Sequence, residues 1–172
     1  MRSRIEVVTA DLTGLAVDAI VHAADPELCA TGRVGQAIRQ AAGPKLREEC
    51  RSIGGCPPGE ARMTGGYELP ARWVIHAVGP RWCGGGQGEP GVLASAYTEA
   101  LRLAERNEIT TIAFPSIATG ARGFPREAAA RIAVRAVATW LVTHEWPRRV
   151  ILCCFEDATA DRYRALLASL ER

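Results

Sequence analysis

The chain predicts an α/β fold whose sheet is largely parallel or mixed and covered by helices on both faces. Three observations point there. Short β-rich runs alternate with helical stretches along the whole sequence. Several of those runs are almost wholly apolar, as strands buried on both faces tend to be. The length, 172 residues with 48% hydrophobic and 23% charged side chains, suits one globular domain spanning residues 1–172.

Taken in order, residues 4–9 (RIEVVT) are short and β-rich, and residues 17–23 (VDAIVHA) form a second strand after the Thr13-Gly14 turn. Helical periodicity runs through 34–42 and 45–52, with Gly43-Pro44 as the break between them. Residues 61–64 make a short strand and 73–78 (WVIHAV) a stronger one, followed by a glycine-rich loop over 81–91. An amphipathic helix covers 92–107, its stripe running Leu93, Ala96, Tyr97, Ala100, Leu101 and Ala104. The remainder reads as a strand (111–115), a long helix (125–143), a buried strand (149–155) and a last helix (158–170).

Composition narrows the function classes. No stretch approaches the roughly 18 apolar residues of a membrane helix, and the basic start runs into alternating residues with no signal-peptide core. A cytoplasmic protein is expected. The net charge of +2 is too small to argue for a nucleic-acid face, although Lys45 is the one lysine and arginine supplies the other positive charges. The six cysteines show no CxxC pair and no zinc spacing, so free thiols are expected. His22, His76 and His144 are too scattered to mark a metal site, and no metal is expected.

In open α/β sheets the ligand crevice lies beyond the carboxyl ends of the strands. Ser116–Phe124 (SIATGARGF) is such an end. Gly120 and Gly123 allow positive φ, Ser116 and Thr119 add hydroxyls, Arg122 adds charge, and Pro125 opens the next helix. This fits a phosphate cradle; an ordinary turn with a helix start is the other reading. A second loop, residues 23–33 (AADPELCATGR), places Gly32 and Gly35 near a helix start. Asp11, after the first strand, either accepts from an exocyclic amine or caps a turn with Thr13.

The runs TADLT (9–13), VDAIVHAAD (17–25), AAGP (41–44), GEA (59–61), VIHAVGP (74–80) and FPSIATGARGFP (114–125) together resemble the macro domain family, and most closely its MacroD-like branch. The resemblance extends over nearly the whole chain. It implies a three-layer α/β/α sandwich with a mixed, mostly parallel sheet and no cofactor. It further implies a crevice for ADP-ribose, free, as O-acetyl-ADP-ribose, or attached to a protein or nucleic acid. By the same resemblance, Asp11 matches the acid that bonds the adenine amine, with the Leu12 N–H beside it. Gly120, Ala121, Arg122 and Gly123 match the backbone donors around the diphosphate, and Phe124 the aromatic on the distal ribose. Phe155, with Asp157 nearby, resembles the residue packed on adenine; a plain core aromatic is the other reading of Phe155. His76 lies in a strand pattern that the family shares and reads as structural.

The second loop departs from the family. The Asn-Ala-Ala-Asn run is His22-Ala23-Ala24-Asp25 here, the aspartate that would position water is Gly35, and of four glycines only Gly32 remains, followed by Arg33 and Val34. Ala23, Asp25, Gly32, Arg33 and Val34 remain candidate ligand contacts. Arg33 offsets the charge of Asp25 or meets a phosphate, unless it is simply solvated. Ester hydrolysis needs a held and polarised water. Without a side chain at position 35 the resemblance favours binding over turnover, with Asp25 as the candidate left for catalysis by an ADP-ribosyl or O-acetyl-ADP-ribose hydrolase.

Overall fold

A computed structural model describes residues 4–28 and 32–172; residues 29–31 of the second loop lie outside them. In chain order the elements are β1 (Ile5–Thr9), a 3-10 turn (Leu12–Gly14), β2 (Ala19–Ala24), α1 (Gly32–Ala42), α2 (Pro44–Ile53) and β3 (Ala61–Gly65). There follow β4 (Trp73–Val78), α3 (Glu89–Arg106), β5 (Thr111–Phe114), α4 (Arg126–Thr143), β6 (Arg149–Cys154) and α5 (Asp157–Ser169). The strands form one sheet in the order β1-β6-β5-β2-β4-β3. Every neighbouring pair is parallel except β3 with β4.

Alternation along the strands sorts side chains to two cores. Val21, Ile75, Phe114 and Leu152 point to one face and pack with residues of α3, α4 and α5. Ile20, Val74, Ala113 and Ile151 point to the other, against α1, α2 and the 3-10 turn. This is the three-layer arrangement expected above.

Most element boundaries shift by one to three residues from the sequence reading, and three of the shifts have a clear local cause. Strand β2 starts at Ala19, since the Asp18 carboxylate turns aside to accept the N–H groups of Thr110 and Thr111 at 2.9 and 3.1 Å. Helix α3 starts at Glu89, with Pro90 in its first turn and left-handed Gly88 before it. Pro125 is the N-cap of α4 rather than its first helical residue, because its ψ of 128° is extended.

His22 and His76 face each other in register across β2 and β4, on the side covered by α1 and α2. Their Nδ1 atoms are 3.0 Å apart, and Thr64 Oγ1 lies 2.9 Å from His76 Nε2. Burial pulls His22 down to about 4, against the attraction of Asp25, and pulls His76, with the help of His22, to about 3. Between pH 6.5 and about 4 the unfolded chain therefore takes up protons that the folded chain refuses, and stability falls as the pH falls. Denaturant titrations across this window should show a loss approaching 1.4 kcal/mol per pH unit for each refused proton. The double variant His22→Asn/His76→Gln should lose most of that slope; an unchanged slope would mean that the pair is not its source.

Candidate functional site

Because β2, β4, β5 and β6 run the same way, their carboxyl ends open on one edge of the sheet. The segments that follow them enclose a cleft of about 660 Å³, within the range of small-molecule sites. Sheet order sets the arrangement across it: Phe155 and Glu156 after β6, the 116–122 loop after β5, Asp25 at the end of β2, then Gly79 and Arg81 after β4.

The loop after β5 is held by its own backbone. Phe124 N–H donates to Ala118 O, and Gly123 N–H donates to Gly120 O, both at 2.9 Å. The left-handed residues are Ala118 (φ 68°) and Gly123 (φ 75°); Gly120, expected to need that freedom, has no positive φ. Gly79 passes so close that a Cβ there would lie 2.8 Å from Ala118 Cβ and 2.9 Å from Ile117 Cγ2. The N–H groups of Thr119, Gly120, Ala121 and Arg122 donate to no protein group among the described residues. Four consecutive unpaired amides beside a cleft, next to the start of the 18-residue α4, make an anion cradle. Gly123, whose amide closes the turn, is not one of its donors.

The segment after β4 braces this loop. Trp82 N–H donates to Arg122 O at 2.8 Å, and the Trp82 ring packs on Phe124 with centroids 4.8 Å apart. Glu89, 2% exposed, turns back to accept the N–H groups of Cys83, Gly85 and Gln87 at 2.5–2.9 Å. Its own N–H and those three hold the carboxyl down at about 2, against the opposing effect of burial.

The structure brings Ala23, Asp25, Gly32, Arg33, Val34, Ser116, Thr119, Gly120, Ala121 and Arg122 into the cleft wall. Phe155 joins them and is 64% exposed, so it is no core aromatic. Five expected residues lie outside the wall. Asp11 accepts the N–H and hydroxyl of Thr13 at 3.0 and 2.7 Å, the capping alternative, and Leu12 is buried beneath α1. Gly123 closes the turn, Asp157 accepts the Thr9 hydroxyl at 3.0 Å, and Phe124 is 2% exposed in the core. Arg33 makes no pair with Asp25. The sequence reading missed Gly79, Arg81, Arg126, Thr159 and Arg162, all in the wall. The rule that pointed to the loops after β2 and β5 applies equally after β4, where Gly79 and Arg81 lie, whereas Arg126, Thr159 and Arg162 stand on helices α4 and α5, which that rule does not reach.

The lining carries five arginines (33, 81, 122, 126, 162) against Asp25, Glu27 and Glu156, so its field favours an anion. Burial pushes the thiols of Cys153 and Cys154, also in the wall, up to about 11, which keeps both protonated at neutral pH.

The family model of the macro domain matches residues 21–133. The chain belongs to the macro domain family. A macro domain-containing protein of Chlorobaculum tepidum is 51% identical over 165 residues, 96% of each chain. The O-acetyl-ADP-ribose deacetylase of Escherichia coli K12 is 46% identical over 171 residues, 97% of each. Among solved structures, the Oceanobacillus iheyensis macrodomain with ADP superposes with a TM-score of 0.92 at 33% identity, covering 97% of this chain and 91% of that one. The Trypanosoma brucei macrodomain in complex with ADP-ribose gives 0.88 at 36% identity, covering 94% and 68%.

If Glu89 braces the cradle of this macro domain, Glu89→Ala should raise hydrogen exchange at the Cys83, Gly85 and Gln87 amides while β5 stays protected. Unchanged exchange would show that the loop does not hang on the carboxylate.

Proposed function

We propose that this macro domain, residues 1–172, binds ADP-ribose, free or attached to a macromolecule, and serves as a recognition module in the cytoplasm. The carrying observation is the row of unpaired amides from Thr119 to Arg122 at the middle of a cleft with exposed Phe155 at one end. A diphosphate suits the amides and a base suits the aromatic face. The ribose beyond the diphosphate then falls toward Asp25 and the start of α1. The neighbours solved with ADP and ADP-ribose support this reading, and un-bridged thiols at Cys56, Cys83, Cys153 and Cys154 fit a reducing compartment.

Calorimetry should show ADP-ribose binding more tightly than ADP, and ADP more tightly than AMP. Phe155→Ala should weaken ADP-ribose by roughly tenfold or more, the worth of one base–aromatic stack. ADP-ribose binding no better than ADP would remove the distal ribose from the account.

A second reading, hydrolysis of ADP-ribosyl or O-acetyl-ADP-ribose esters, is favoured by the name of the E. coli relative and by the carboxylate of Asp25 in the wall. Against it, buried Gly35 beside the cleft offers no side chain to hold water. Wild-type protein is expected to release no acetate from O-acetyl-ADP-ribose, and Gly35→Asp with Asp25→Asn to gain turnover. Turnover by the wild type, abolished in Asp25→Ala, would establish the second reading instead.

A further inference from the structure

A second cavity, of about 210 Å³, lies between the sheet and the pair α1–α2. His22 and His76 form its polar lining, Leu28, Ile38 and Leu46 its apolar walls, and Arg47 and Arg51 stand where it meets solvent, with half-buried Arg39 beside them. No acidic group pairs with these three guanidinium groups among the described residues, although each lines the cavity. Other titratable groups at the cavity are Cys50 on α2, whose Sγ is 3.9 Å from His76 Nε2, and Glu27, which also lines the ADP-ribose cleft.

His22 is 2% exposed, and its Nδ1 is taken by His76. Its Nε2 has no partner among the described residues, yet no buried side-chain nitrogen or oxygen is sealed off without one. Nε2 therefore opens on the cavity that His22 lines. The proton on it follows from the chain of bonds behind it. The Thr64 hydroxyl is nearer to His76 Nε2, at 2.9 Å, than to the adjacent Gly65 carbonyl, at 3.2 Å. With that hydroxyl donating, His76 keeps its proton on Nδ1 and gives it to His22 Nδ1. Neutral His22 then carries its own proton on Nε2, as a donor facing the cavity.

A donor at the inner end, apolar walls and unpaired guanidinium groups at the outer end describe one chemistry. We propose that this cavity is a second ligand site, for a small carboxylate whose apolar body ends in a hydrogen-bond acceptor. The carboxylate meets Arg47, Arg51 and Arg39, the body lies against Leu28, Ile38 and Leu46, and the acceptor takes the His22 Nε2 proton. Size agrees: an apolar cavity of roughly 150 Å³ accepts benzene, so this one has room for a ring with a substituent at each end. The site shares one lining residue, Glu27, with the sheet-edge cleft, and the proposal does not depend on what that cleft binds.

The probe is 4-hydroxybenzoate, with 4-hydroxybenzyl alcohol and benzoate as controls, followed through the histidine ring nitrogens by NMR. Saturable movement of the His22 Nε2 signal is expected, and it should persist with ADP-ribose present. Replacing the acid by the alcohol, or Arg47 and Arg51 by glutamine, should weaken binding about tenfold, the worth of one charge-assisted contact. Benzoate should bind more weakly than 4-hydroxybenzoate, for want of the acceptor. The arginine substitutions are at exposed positions, so the fold survives them and a negative result is informative. No movement at millimolar acid, equal binding of acid and alcohol, or loss of the signal on adding ADP-ribose would each overturn the proposal.

Discussion

Parallel pairing is the constraint on which the rest depends. Strands β1, β6, β5, β2 and β4 run the same way, so the chain must return over a face of the sheet between most of them, and helices cover both faces. The carboxyl ends then share one edge, where strand turns to helix and backbone amides have no ladder to join. That edge leaves the amides of Thr119 to Arg122 for a ligand.

The cradle rests on buried supports. Phe124, expected to reach the ligand, instead sits in the core under Trp82, and anchors the end of the loop whose amides face outward. Behind Trp82, a single carboxylate, Glu89, gathers three amides of a glycine-rich segment that has little else to order it. Preorganisation of this kind lowers the cost of ordering donors when a ligand arrives.

Most of the fold was legible because its signals are local and repeated: apolar runs for β2, β4 and β6, a helical stripe for α3, and glycine or proline at nearly every break. Boundaries failed where one side chain decides them, as with Asp18 at β2 and Glu89 at α3. The cleft was legible as loops after β2 and β5, but Gly79, Arg81 and Arg162 come from other strand ends or a helix, and only the sheet order brings them to the same space. The departure at His22 read as a lost asparagine. Its cross-strand partner His76 is 54 residues away, and a register between parallel strands that far apart is not written in either sequence run.

The most direct test of the central claim is a crystal structure of the chain with ADP-ribose. The account predicts the diphosphate on the amides of Thr119 to Arg122, the adenine against Phe155 and the far ribose beside Asp25. A diphosphate held only by arginine side chains, with those amides still bare, would contradict it.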